Sequence, residues 1–455
     1  KRYIMGRLFG TDGVRGIANE FLTCERAMQI GRAVAAVLSG GRRSHPVVVV
    51  GMDTRLSSNM LASALEAGLC SVGADVIHLG VVPTPAVAFL VGKYKANAGI
   101  MISASHNPSE YNGIKVFSEE GYKLPDALEE RIESMVLDNI PAIEMAGAKE
   151  IGKVNYATRA VEDYIEHLCS TTSHSLEGIK IAVDCANGSA SVTARKLFEA
   201  LGAEAHIMFD EPDGYNINDG CGSTHMEALR EYVLTHEVDA GIAYDGDADR
   251  FLCIDDKGDF IDGDMIMAIL AKDMKDRGKL AGSTVVGTIM TNFGFGKFCD
   301  ENDIKFEATK VGDRFVLELM LLDGYNFGGE QSGHIIFRDY ATTGDGQLTS
   351  IQLLSYMRRS QKKLSELKNV MTRYPQAMVN ITVTNEAKVA FYTDAKVKKL
   401  IRETEKAIGK SGRLVIRPSG TEPLIRVMAE GEEYEATLEI VKKTAEALEE
   451  LLKTY

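Results

Sequence analysis

Short runs of β-branched residues keep returning between segments of helical spacing, and that alternation leaves few architectures open to this chain. Residues 23–38 place apolar side chains at helical spacing behind Thr23 as N-cap, and Val47 to Val50 make a run short enough for a buried strand. The pattern predicts further helices over 58–72 and 85–94 and further strands over 75–79 and 98–103, as in helices layered on a largely buried sheet. A second segment of this kind offers a strand at 179–184, a helix at 191–201 and a strand at 240–243. A third opens after the turn-like Asp255-Asp256-Lys257-Gly258 and has a strand candidate at 283–288. Behind the lysine-rich, helix-compatible stretch 361–369, Tyr374-Pro375 interrupts the chain and a smaller unit follows. Its last helix, 434–452, carries Leu438, Val441, Ala445 and Leu448 on one face. The expectation is an α/β protein, with α/β domains at 1–155, 156–256 and 257–372 and an α+β domain at 373–455.

A chain of 455 residues is too long for one hydrophobic core, which supports that division. Its 51 basic and 65 acidic side chains leave a net charge of -14, which argues against general binding to nucleic acid or to anionic membranes. A phosphate handled by such a chain is expected in a local pocket. The 7 cysteines are scattered and never form a C-x-x-C pair, as expected of reduced thiols. No apolar stretch is long enough to span a bilayer and the first residues lack a secretory apolar region, so the expectation is a soluble cytoplasmic protein.

The segment Ile102-Ser103-Ala104-Ser105-His106-Asn107-Pro108 follows a predicted strand, and strand-to-loop exits are where catalytic groups gather. Ser105 has an imidazole beside it, Asn107 can tie the loop through its side chain, and Pro108 fixes it. Lys115, further along, could meet a phosphate or a sugar hydroxyl. Taken alone, this segment reads more simply as a capped turn with a solvated lysine. The segment Asp245-Gly246-Asp247-Ala248-Asp249-Arg250 is more specific, because carboxylates at alternate positions in a loop repel one another unless they converge on a hard cation such as Mg²⁺. A Ca²⁺-binding EF-hand loop does not fit, since Arg250 stands where that loop needs glycine and Asp256 where it needs glutamate. The plain alternative is an acidic surface turn.

Gly328-Gly329-Glu330-Gln331-Ser332-Gly333-His334 packs a carboxylate, a hydroxyl and an imidazole among glycines that let backbone approach a ligand. If the segment is extended, Glu330 and Ser332 share a face and point together at sugar hydroxyls. Arg417-Pro418-Ser419-Gly420-Thr421-Glu422-Pro423 follows a strand candidate at 414–416 and offers a guanidinium fork, hydroxyls and a glycine-freed N–H, the parts of a phosphate cradle. Neither common nucleotide fingerprint is present. Thr404 occupies the place of the first glycine of a Walker A loop ending in Gly409-Lys410-Ser411, and Gly294-Phe295-Gly296 is not completed by glycine at Cys299. The cradle therefore suits a small phosphorylated substrate better than ATP or NAD.

In this order, these segments resemble the α-D-phosphohexomutase family, whose members carry a phosphoserine loop, a D-G-D-x-D-R metal loop, a G-E-x-S-G sugar loop and a C-terminal phosphate loop. The likeness covers essentially the whole chain and implies three related α/β domains with mixed sheets and a smaller α+β C-terminal domain around a central cleft. Four stretches resemble the branch that acts on glucosamine phosphate: the opening Gly6 to Gly16, Asn216-Ile217-Asn218 through His225, Val311-Gly312-Asp313-Arg314, and Ser419 to Met428. Ala248, where that branch commonly has glycine, and Pro418 depart from the pattern.

The resemblance implies that Ser105 carries the phosphoryl group and joins Asp245, Asp247 and Asp249 around one Mg²⁺, while Arg15 and Arg250 counter charge on the group in transfer. Lys115, His106 or His334 would move the hydroxyl proton; Asp313, Glu330, Ser332 and His334 would hold the sugar; Arg417, Ser419, Gly420 and Thr421 would hold the phosphate that is not reacting. The implied reaction interconverts glucosamine 6-phosphate and glucosamine 1-phosphate through a hexosamine 1,6-bisphosphate, which also serves as activator, and supplies UDP-N-acetylglucosamine synthesis. Small-molecule sugar phosphates are the implied partners, and a homodimer is compatible with the family. Competing readings are a phosphomannomutase or phosphoglucomutase, a non-catalytic sugar-phosphate sensor, and a phosphatase with Asp245 as nucleophile. The last lacks the glycine and threonine that should follow its D-x-D loop.

Overall fold

A computed structural model describes residues 7–10, 12–39, 45–409, 411–419, 423–453 and 455. By contact the chain divides into two compact units, Lys1–Thr288 with Lys305–Asn369, and Ile289–Ile304 with Val370–Tyr455. The first unit holds three sheets in which parallel and antiparallel pairs mix. The α/β expectation, with a smaller α+β part at the C-terminal end, holds.

In the first sheet the apolar strands Val47–Met52, Asp75–Val81 and Ala98–Ile102 run parallel, and Tyr111–Ser118 returns antiparallel beside Ala98–Ile102. Val14–Ile17 adds the outer strand on that side and Val154–Tyr156 on the other. Helices Cys24–Ser39 and Leu56–Ser71 pack together over the sheet, the first started by Thr23, whose hydroxyl accepts the Arg26 N–H at 3.3 Å. They meet through glycines. A β-carbon on Gly31 would lie 2.3 Å from the Leu65 carbonyl oxygen and one on Gly68 2.2 Å from that of Met28, so the backbones touch where no side chain fits.

The second sheet sets Lys180–Asp184 parallel between Glu204–Met208 and Ala240–Tyr244, and Phe251–Asp255 continues it antiparallel. The turn Asp255–Gly258 lies inside a hairpin of this sheet, because Phe260–Ile261 pairs back onto Phe251–Asp255. The helix read over 191–201 is shorter than expected: a 3-10 turn, Ser189–Val192, precedes the α-helix Ala194–Ala200. In the third sheet Thr284–Thr288 lies parallel to both Lys305–Thr309 and Phe327–Gly329, and Ile335–Phe337 closes a hairpin with the latter.

The second unit centres on the antiparallel sheet of Gln376–Thr382, Leu424–Gly431 and Gly412–Pro418. Helix Tyr434–Leu452 buries Val441, Ala445 and Leu448 against Ile425 and Val427, with Leu438 partly covered, as its spacing requires. Helix Phe293–Glu301 belongs to this unit as well. The fully buried Glu430 carboxylate holds it, accepting the Asn292 side-chain amide at 3.2 Å, the Phe293 N–H at 2.8 Å and Arg413 Nε at 2.7 Å. Among the described residues no helix is long and apolar enough to cross a membrane. All of the cysteines are free thiols, with Cys185, Cys221, Cys253 and Cys299 buried.

Candidate active site

Ser105 leaves the end of strand Ala98–Ile102 in a tight turn closed by the Asn107 N–H on the Ala104 carbonyl at 3.1 Å. Of the turn's two central residues only Ser105 has a positive φ, +52°, the pattern of a turn that usually puts glycine there. The Ser105 N–H is taken by the Ser103 hydroxyl at 2.9 Å, and the Ser105 hydroxyl donates to Asp245 Oδ2 at 2.6 Å.

Asp245, Asp247 and Asp249 occupy the loop between strands Ala240–Tyr244 and Phe251–Asp255; all are buried, with ligand oxygens within 4.8 Å of one another. Asp247 Oδ2 accepts the Thr84 hydroxyl at 2.6 Å and Lys115 Nζ at 2.9 Å, and Asp249 Oδ2 lies 3.2 Å from the same ammonium. Their other oxygens, Asp247 Oδ1 and Asp249 Oδ1, are buried without a hydrogen-bond partner. Desolvated carboxylate oxygens are costly without a cation, and an all-oxygen, anionic set matches a hard divalent ion. Burial, with Asp249 and Asp247 adding to it, pushes the Asp245 carboxyl up to about 8. Burial alone would raise Asp249 too, but Lys115, His334 and Arg250 hold it well below the usual carboxylate range.

A ring of alternating charge runs on from this loop. Lys115 Nζ is 3.2 Å from Asp12 Oδ2; Lys123 Nζ lies 2.5 Å from both Asp12 Oδ1 and Asp313 Oδ2. His334 Nε2 is 3.2 Å from Asp313 Oδ2 and its Nδ1 3.7 Å from Asp249 Oδ2, which closes the ring on Lys115. Burial works against charge on Lys115, yet Asp12, Asp247 and Asp249 raise it well above the ordinary lysine value. For His334, Asp313 and Asp249 likewise overcome burial and favour the imidazolium. The Gly344 N–H also faces His334 Nε2, at 3.1 Å, and would prefer a lone pair there; two carboxylates outweigh one amide dipole. His106 differs. Burial, then Arg250 and Arg15, lowers it to about 4, and its Nδ1 is 3.5 Å from the Ser105 hydroxyl, at the limit of a hydrogen bond.

Arg15 reaches the Asn107 side-chain oxygen at 3.1 Å and pairs with Asp12; the Arg250 N–H donates to Asp245 Oδ1 at 3.2 Å, and Arg250 Nε stands 4.0 Å from both Asp245 and Asp249. The segment 330–333 is not extended, as the sequence reading supposed. It is the turn of the hairpin between Phe327–Gly329 and Ile335–Phe337. Ser332 is half-buried there, and Glu330 Oε1 accepts the Gly312 N–H at 2.9 Å, tying the sugar-loop candidate to the start of the helix Asp313–Asp323. Arg417 and Ser419 lie in the second unit, where Arg417 stands opposite Arg426 across neighbouring strands and the Ser419 carbonyl accepts Lys388 Nζ at 2.8 Å. Burial, then Arg426, lowers the Arg417 guanidinium. Gly420 and Thr421 fall outside the described residues.

Several participants escaped the sequence reading. Arg55 and Asn218 grip the Ser105 turn from below, Lys123 completes the charge ring, and Glu133 collects the Arg7, Leu8 and Phe9 N–H groups at 3.1, 2.7 and 2.6 Å, anchoring the segment that leads to Asp12 and Arg15. A signal existed for Arg55: Asp53-Thr54-Arg55 puts a charged pair directly behind an apolar strand. Lys123 and Glu133 carry no local mark.

The chain matches models of phosphoglucomutase/phosphomannomutase in four pieces: alpha/beta/alpha domains I, II and III at residues 6–141, 162–258 and 262–374, and the C-terminal domain at 378–447. It is 51% identical over 446 residues to a phosphoglucosamine mutase of Clostridium novyi, covering 98% of this chain and 99% of that one. To a phosphoglucosamine mutase of Caldanaerobacter subterraneus subsp. tengcongensis it is 53% identical over 451 residues, covering 98% and 100%. Among solved structures, a phosphoglucomutase/phosphomannomutase family protein of Burkholderia thailandensis superposes with a TM-score of 0.83 at 23% identity, over 99% of this chain and 98% of the other. The Aspergillus fumigatus N-acetylphosphoglucosamine mutase, solved with GlcNAc-6P and magnesium, gives 0.71 at 16% identity, over 98% and 96%.

Proposed function

The chain belongs to the phosphoglucomutase/phosphomannomutase family, and from that premise we propose that it interconverts glucosamine 6-phosphate and glucosamine 1-phosphate through a phosphorylated Ser105. The observation that carries the mechanism is the Ser105 hydroxyl held 2.6 Å from Asp245 at the edge of the buried carboxylate triad. Phosphoryl transfer asks the protein mainly for position and charge stabilisation, which is what these loops offer.

The phosphoryl group passes from Ser105 Oγ to the free O1 or O6 of the bound sugar monophosphate; the P–O bond to the serine breaks, a new one forms to the sugar, the sugar hydroxyl proton goes to the neutral His106 imidazole beside Ser105, and Ser105 Oγ is reprotonated. The 1,6-bisphosphate turns over in place and returns its other phosphate to Ser105. Asp245, Asp247 and Asp249 would hold Mg²⁺, which neutralises charge on the group in transfer. Arg15 and Arg250 add positive charge from the protein side. Lys115, fixed as an ammonium by three carboxylates, serves as a donor and not as a base. His106, lowered to about 4, is neutral near pH 7, which leaves His334 as the candidate to deliver a proton to the departing oxygen. Asp313 positions Lys123 and His334, Glu330 and Ser332 border the sugar, and Arg417, Ser419, Gly420 and Thr421 take the distal phosphate. The free thiols suit a reducing, cytoplasmic setting.

An enzyme-linked assay on glucosamine, glucose and mannose phosphates, run on wild type and Ser105→Ala with intact-mass analysis, tests this reading. Preference for glucosamine phosphate, lost with one phosphate mass in the variant, supports it. Equal turnover of the neutral hexoses moves the substrate to glucose or mannose phosphate, and an active Ser105→Ala removes the mechanism.

A further inference from the structure

Beneath the Ser105 turn, the same two side chains bind the same two carbonyl oxygens. Arg55 Nη2 donates to the Ser105 carbonyl at 3.2 Å and to the Asn107 carbonyl at 2.6 Å. Asn218 Nδ2 donates to the Ser105 carbonyl at 2.9 Å and to the Asn107 carbonyl at 3.1 Å. Each oxygen therefore has both acceptor sites filled, and neither peptide can rotate without breaking two bonds at once.

Both gripping residues are themselves fixed. Arg55 is completely buried and pairs through Nη1 with the equally buried Asp53, which also receives the Ser58 hydroxyl at 2.8 Å. Asn218 sits at a positive φ of +59°, its N–H bound to the Ala186 carbonyl at 2.9 Å. Gly246, between two of the triad carboxylates, closes over the grip: a β-carbon there would lie 2.6 Å from the Ser105 carbonyl oxygen and 2.9 Å from Asn218 Nδ2. The glycine of the acidic loop thus has a physical reason of its own.

What the grip maintains is a conformation the sequence disfavours. A serine at a left-handed φ persists only where its surroundings over-determine it. Released, the turn would relax and carry Ser105 Oγ away from Asp245. We propose that Arg55 and Asn218 are positioning residues for phosphoryl transfer, a four-bond clamp that sets the Ser105 hydroxyl against the triad without touching substrate. This rests on the reading of Ser105 as the phosphoryl carrier.

The test compares wild type, Arg55→Lys, Asn218→Ala, the double variant and Ser105→Ala. kcat and KM are measured on glucosamine 6-phosphate, and the loss of phosphate from the charged enzyme to water is followed by intact mass. Arg55→Lys keeps the positive charge opposite Asp53, and Asn218→Ala leaves no buried charge behind, so the second remains informative if the first folds poorly. The clamp predicts that kcat falls about tenfold or more in each single variant with KM within about twofold, because misplacement of a reacting atom acts on the transfer step. In the double variant kcat falls by more than the product of the single effects, and the ratio of water to sugar as phosphoryl acceptor rises in step. A structural role alone would move the unfolding midpoint and leave that ratio unchanged. Asn218→Ala with kcat within twofold of wild type, or single effects that merely multiply, overturns the clamp while an inactive Ser105→Ala leaves the mechanism standing. An active Ser105→Ala overturns both.

Discussion

Lys123 Nζ lies 2.5 Å from Asp313 Oδ2 and makes the salt link by which the first residue of helix Asp313–Asp323 joins Asp12, in the turn before strand Val14–Ile17. Burial opposes the Lys123 charge, but Asp12 and Asp313 raise its ammonium above the ordinary value. Removing one member of a buried pair leaves the other charge uncompensated, at a cost of about 3 kcal/mol or more. Lys123→Met is expected to lower the unfolding midpoint in urea, and Lys123→Met with Asp313→Leu to recover part of the loss without recovering activity. A single variant as stable as wild type would show that the ring of charges is slack.

Cation binding at the triad should expel a proton. The Asp245 carboxyl, pushed up to about 8 by burial and by its neighbours Asp249 and Asp247, is mostly protonated at pH 7 before the ion arrives, and a ligand oxygen must be free of its proton. Titration calorimetry with Mg²⁺ in buffers of different ionisation enthalpy is expected to report up to about one proton released at pH 7 and close to none at pH 9. A binding enthalpy independent of buffer at pH 7 refutes this.

The left-handed turn gives an unusual ranking of nucleophile-free variants. Ser105→Gly relieves the strain at φ +52° that Ser105→Ala retains, so the glycine variant is expected to be the more stable by about 1 kcal/mol, although glycine ordinarily weakens a folded chain. Side-by-side urea titrations decide it.

Asp184 offers a pH signature away from the triad. Its carboxylate accepts the Ala186 and Gly222 N–H groups, both at 2.8 Å, yet burial raises it from 3.8 to about 7. A carboxyl raised on folding contributes stability that is fully present below its unfolded value and is lost as pH climbs through the folded one, here up to about 4 kcal/mol between pH 4 and 7. Asp184→Asn removes that titration, so the stability of wild type relative to the variant should fall from pH 5 to pH 8. A constant difference across that range counts against it.

Much of this was legible from the chain because the informative residues sit at strand ends. Val47 to Val50, Ala98 to Ile102 and Ala240 to Tyr244 are apolar runs that declare themselves, and the topology opens the loop at the end of each to chemistry. Ser105 and the three aspartates were found on that basis and lie together. Alternation misled at Glu330 and Ser332, where a tight hairpin turn replaces extended backbone, since Gly333 has a φ of +91° and packs against the Phe251 carbonyl. The second tier of the site could not be read locally. Asn218 meets a carbonyl 113 positions away, and Lys123 meets Asp313 across 190. Pairings at such separations are set by how three sheets pack, which no window of sequence contains.

The buried carboxylate of Glu430 has a consequence for how this protein can be cut. The C-terminal unit is not one continuous stretch, because residues 289–304 thread into it from between two strands of the third sheet and supply Asn292 and Phe293 to Glu430. A fragment that starts after residue 369 therefore lacks part of its own interior, and one that ends there keeps Asn292 and Phe293 without the Glu430 carboxylate they bind. Grafting this module onto another chain therefore takes two segments, 289–304 as well as the stretch after 369.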